Sequence, residues 1–189
     1  MMRIRESCGA EIDKATGGDR ARSALLAAIT ANESEGRRAS YRFVPELHDK
    51  LVGLLRGTET KVDGVTKAQL EKYLGTAETE GEKAELLKRL AGLHGYTQLP
   101  GYFCVGWKLP LDALTDKERH FELAIRRLDE ITKEHKLPPD TNPADLGRYW
   151  SSAHPNGGAR SALYLWRLQQ RMQLYPEVGS LPPAIPGGY

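Results

Sequence analysis

Glu33 stands seven residues beyond Leu26 and four beyond Ile29, so the three share one side of a helix. A carboxyl at the end of an apolar stripe loses hydration, which favours its neutral form. A neutral carboxyl can hand a proton to a leaving oxygen. The same spacing also suits a solvated glutamate at a fraying helix end. A second carboxylate would decide the course of such a reaction. Inversion needs a base roughly 6.5–9.5 Å from the acid, and a covalent route needs one near 5 Å. Glu46 and Asp49 are the candidates, and both equally suit the polar face of an amphipathic helix. Glu35, two residues on, points off the Glu33 face if the helix continues.

Other chemistries find little footing. The histidines at 48, 94, 120, 135 and 154 have no HxxxH or HExxH spacing and no paired cysteines beside them. No metal and no cofactor is therefore expected. Cys104 reads as a buried small residue rather than a nucleophile, and Cys8 and Cys104 allow at most one bridge. In Glu46-Leu47-His48 the carboxylate would hold the histidine, or His48 is purely structural. Arg160, Arg167 and Arg171 recur on one helical stripe, joined by Arg37, Arg38 and Arg42. They would attract an anionic polymer or form a solvated face. With 27 basic against 25 acidic residues, the net charge of +2 argues for no nucleic-acid partner. No apolar run approaches the roughly 20 residues of a membrane-spanning helix, so no membrane insertion is expected. No phosphate-binding glycine loop occurs.

The elements that would position Glu33 read mostly as helices, giving a mainly α chain. Asp19 caps RARSALLAAITANE, Pro45 opens ELHDKLVGLLRG, and Gly57 closes it. Thr66 caps KAQLEKYLG, and Thr79 with Glu82 makes a capping box before KAELLKRLAG. Residues 116–135 place Phe121, Leu123, Ile125, Leu128 and Ile131 on one broad face. ARSALYLWRLQQRMQLY is apolar around most of its circumference and is expected to be buried. Between 94 and 112 the glycines, prolines and aromatics predict a long loop or a short hairpin. Residues 1–18, ending in Gly17-Gly18, read as a loosely docked arm. The tail 176–189, with four prolines and three glycines, reads as extended or disordered. One core is expected over 19–175.

Three segments carry a resemblance. AITANESEG, with Glu33 in its ESEG, is similar to the catalytic signature of the lysozyme-like superfamily, closest to phage-type N-acetylmuramidases and lytic transglycosylases. GYTQLPG (95–101) resembles that family's Gly-x-x-Gln segment along the glycan cleft. ADLGRYWSSAHPNGG (144–158) resembles its later helix end and glycine turn. The separation of about 60 residues between the first two, and the FVPELHDKL stretch (43–51), suit the muramidases better. The chain departs from the pattern at Glu35, Leu93 and Trp150.

The resemblance implies a lysozyme-like helical domain with a helical insertion over about 47–92 and a short hairpin. It implies cleavage of the β-1,4 bond between N-acetylmuramic acid and N-acetylglucosamine, with Glu33 as the acid. Ser34 would orient the acid or the sugar, and Gln98 would bind substrate beside the scissile bond. Gly95 and Gly101 would let backbone approach it, and Tyr149 would bring its hydroxyl near Glu33. Tyr96 and Tyr102 would line the cleft, since sugar faces pack on aromatic planes. Hydrolysis and transglycosylation both remain open. Two further readings remain: a chitin- or chitosan-degrading glycosidase, and a helical glycan- or protein-binding module without turnover. The implied partner is peptidoglycan, and an immunity or inhibitor protein is an open possibility. With no signal peptide, the protein is expected to be made in the cytoplasm and to reach the wall by release or non-classical export.

Overall fold

A computed structural model describes residues 1–38, 40–138, 140–152 and 162–180. Helix α1 (Met2–Ala15) buries Ile4, Cys8 and Ile12, four residues apart on one stripe. The expected loose arm is therefore corrected: α1 is part of the core. Burying a side chain such as Ile12 contributes about 2 kcal/mol. Lys117–Glu11 (2.7 Å) and the Arg5–Tyr175 hydrogen bond (2.9 Å) add links to later helices. Gly17 and Gly18, both at positive φ, make the turn into α2 (Arg20–Glu33), whose N-cap Asp19 accepts from the amides of Ala21 and Arg22.

Every residue of α2 from Ser23 to Ala31 is buried. Its alanines at 24, 27, 28 and 31 let neighbours approach closely, and α1, α8 (Pro143–Ser152) and α9 (Ala162–Ser180) pack around it. The helix wrapped on all sides is thus α2, not the last helix as expected. Helix α9 buries Leu168 and Tyr175 but leaves Leu163, Trp166 and Leu174 about half exposed. It also continues through Pro176 to Ser180, into the segment expected to be tail. Residues 181–189 lie outside the described residues.

After α2 comes β1 (Tyr41–Phe43) and then the insert. It contains α3 (Pro45–Arg56), β2 (Lys61–Val62), β3 (Val65–Thr66), α4 (Lys67–Leu74) and α5 (Glu80–Leu90). Leu47, Leu51 and Leu54 of α3 pack against α4, α5 and β2. The expected capping box forms at Thr79–Glu82, and the expected cap Thr66 forms a second one with Gln69. Asp63-Gly64, both at positive φ, turn β2 into β3, the preferred chemistry of a two-residue hairpin.

The 94–112 region begins with a hairpin of β4 (Gly92–His94) and β5 (Leu99–Pro100), and β1 pairs antiparallel with β4 on the other side. It then forms a short helix α6 (Phe103–Trp107) and a 3-10 turn at Leu111–Leu114. Helix α7 (Lys117–Glu134), capped by Asp116, buries Phe121, Leu123, Leu128 and Ile131 as its pattern predicts. The architecture is mainly α. Among the described residues no helix is long and apolar enough to cross a membrane.

Candidate functional site

Glu33 ends α2, and the chain leaves the helix abruptly after it. Glu35 and Gly36 both take positive φ, so residue 35 falls outside the helical geometry. Ser34 makes that exit rigid. Its buried hydroxyl donates to the Tyr96 carbonyl at 2.6 Å and accepts from the Gly36 amide at 3.2 Å. Glu35 is exposed and pairs with Arg37 at 2.9 Å.

Glu33 itself is half-buried, and its Oε1 accepts a hydrogen bond from the Tyr164 hydroxyl at 2.9 Å. Helix α9 grips the same helix end twice more. Arg171 donates to Asn32 Oδ1, and Asn32 Nδ2 donates to the Tyr164 carbonyl at 3.4 Å. Burial, then the Arg167 charge, hold the Arg171 guanidinium below its ordinary pKa. A cation here also faces the negative end of the α2 dipole. Of the expected basic stripe, Arg171 turns inward, Arg167 is exposed, and Arg160 lies outside the described residues.

Gln98 sits in the β4–β5 connection at φ 56 and is 3% exposed. Its Nε2 points at Ser40 Oγ (3.0 Å), the Ser40 carbonyl (3.3 Å) and the Gly95 carbonyl (3.0 Å). Gln98 lines a cavity of about 10 Å3, water-sized, together with Phe103, Arg127 and Trp150. The Trp150 Nε1 and Arg127 Nε donors are buried without a hydrogen-bond partner among the described residues. The three resembling segments therefore meet. Ser34 bonds to Tyr96, and Gln98 shares a cavity wall with Trp150 of α8. The remainder of the third segment, 153–158, lies outside the described residues.

Other expected site residues are placed differently. Tyr96 is buried, stacked on Phe121 (5.2 Å) and edge-on to His120 (5.6 Å). Tyr102 is buried too, and its hydroxyl bonds to Asp63, so burial and then Asp63 push its pKa well above the ordinary tyrosine value. Both are core residues rather than cleft walls. Gly95 and Gly101 leave room for protein, not sugar. A Cβ at 95 would meet His120 at 2.7 Å, and one at 101 would meet the Arg89 carbonyl at 2.7 Å. Tyr149 lays its half-buried ring on His135, with centroids 4.3 Å apart. Glu46 and Asp49 lie on the exposed face of α3, Asp49 being 3.9 Å from His48 Nδ1.

His120 is a structural pin beneath the site. It is fully buried, its Nδ1–H donates to the Leu114 carbonyl at 2.9 Å, and its Nε2 accepts from the Thr97 amide at 3.0 Å. Carbonyl and amide together fix one neutral tautomer. Burial lowers its pKa to about 4. Tyr164 and Asn32 escape the sequence reading, and Arg171 enters it only as part of a basic stripe, although a signal exists. Tyr164, Leu168, Arg171 and Tyr175 recur at i, i+4, i+7 and i+11, a mixed polar and apolar face. No family model, curated protein or solved structure matches the chain.

Proposed function

We propose that the protein cleaves the β-1,4 glycosidic bond of peptidoglycan, with Glu33 as the general acid. The observation that carries this reading is the Glu33–Tyr164 pair: a half-buried carboxyl at a helix end, held at one oxygen by a tyrosine hydroxyl at 2.9 Å. Glu33 gives a proton to the glycosidic oxygen, the C1–O bond breaks, and the anomeric carbon takes up the charge. The Ser34–Tyr96 bond joins ESEG to GYTQLPG, and Gln98 shares a cavity wall with Trp150, which supports the assignment of substrate contacts to this region.

The acceptor of the sugar fragment is water or the sugar's own hydroxyl. Glu46 and Asp49, exposed on a helix that packs against α4, α5 and β2, make weak candidates for a base. The test is digestion of purified sacculi by wild type and Glu33→Gln, followed by mass spectrometry. Loss of digestion in Glu33→Gln is the expected result, and equal digestion overturns the assignment. A reducing muramic end marks hydrolysis, and a product lighter by one water marks transglycosylation. Parallel digests of chitin and chitosan separate the polymers.

A further inference from the structure

The insert carries a second concavity that shares no residue with the Glu33 region. It lies between α4, α5 and the segment from α6 to the 3-10 turn, and encloses about 570 Å3, a volume typical of small-molecule sites. Buried Val105 and Leu111 line it, as do the half-buried side chains of Tyr73, Leu86 and Leu109. The Tyr73 hydroxyl donates to the Leu109 carbonyl at 3.0 Å, which ties α4 to the loop after α6. The groove is therefore braced.

Its charges are one-sided. Lys72, Arg89 and Lys108 face a single carboxylate, Asp112. Arg89 and Asp112 pair at 3.5 Å, whereas Lys72 and Lys108 have no carboxylate within ion-pair distance among the described residues. Both lysines are exposed, so their charges are available to a ligand at the rim. An apolar trough edged by surplus cations matches a molecule with an apolar body and an anionic head.

We propose that this groove binds a single-chain anionic amphiphile, an acyl chain ending in a carboxylate or phosphate. The chain lies along Val105, Leu111 and Leu86, and the head sits at the lysine rim. The proposal does not depend on catalysis by Glu33.

Calorimetric titration of the full chain with dodecyl phosphate below its micelle concentration tests it, beside dodecyltrimethylammonium and dodecyl maltoside. Dodecyl phosphate binds at least about tenfold tighter than the other two, and added salt weakens it. The Lys72→Ser/Lys108→Ser variant loses about tenfold in affinity with an unchanged thermal midpoint, and Leu86→Gln loses a similar factor when titrated below its own midpoint. Equal binding of the three head groups, an unaffected lysine variant, or no binding overturns the proposal. Attachment to phosphatidylglycerol vesicles without binding of monomeric dodecyl phosphate also overturns it and assigns the lysines to a membrane surface.

Discussion

The Tyr164 hydroxyl meets Glu33 Oε1 at 2.9 Å across the contact between α9 and α2. That bond holds one carboxyl oxygen from a helix 131 residues away in sequence. Glu33→Gln is expected to lower sacculus digestion by about 100-fold or more, the usual weight of a general acid. Tyr164→Phe keeps the acid and loosens it, so kcat/KM falls by about tenfold. Thermal midpoints of both variants, measured alongside activity, separate chemistry from folding.

Tyr102→Phe makes the opposite split. Its hydroxyl serves buried packing through Asp63, not a sugar. Stability is expected to fall by about 1–2 kcal/mol, while activity per folded molecule is unchanged. A raised KM with unchanged stability would return Tyr102 to the cleft.

His120 makes the fold sensitive to acid. Its folded pKa of about 4 lies below the unfolded value of 6.5, so the unfolded chain binds the extra proton. The stability this neutral imidazole supports is complete above pH 6.5 and drains away as pH falls towards 4, by up to about 3 kcal/mol. Urea unfolding at stepped pH reads this loss. Imidazole nitrogen NMR shifts should show His120 holding its Nδ1–H tautomer until about pH 4.

Gly95→Ala is expected to be severe. The position has φ 67, and the added Cβ would lie 2.8 Å from His120 Nδ1 and 3.0 Å from the Leu114 carbonyl. The strained backbone and the clash together cost roughly 3 kcal/mol. A thermal midpoint within a degree of wild type would refute this.

Helix caps are legible in the sequence because they are local. Asp19, Thr66, Thr79 and Asp116 each accept from amides two or three residues ahead, whatever the rest of the chain does. The Asp63-Gly64 hairpin is equally local, its Asp-Gly pair standing between two valines. Tertiary choices are not readable this way. ALYLWRLQQRMQLY holds the Tyr164, Leu168, Arg171 and Tyr175 face among apolar residues on every side, so the partial exposure of α9 and the reach of Tyr164 become definite only when the helices pack. Tyr96 and Tyr102 show the same limit, since an aromatic ring fills a core or a cleft with identical spacing. Glu33 shows it too, since α2 is buried on every side from Ser23 to Ala31 and no single apolar stripe marks the face on which Glu33 meets Tyr164.

The grip of α9 on the end of α2 has a consequence for biosynthesis. Residue 33 leaves the ribosome long before Tyr164 and Arg171 do, so a nascent or prematurely terminated chain carries Glu33 without these partners. On the proposed reading, wall-cleaving activity therefore matures only with the last helix. Product ending at residue 160 should bind wall fragments no better than a denatured control and should release no soluble muropeptide. Solubilisation by that product would show that the opening helix aims its carboxyl unaided.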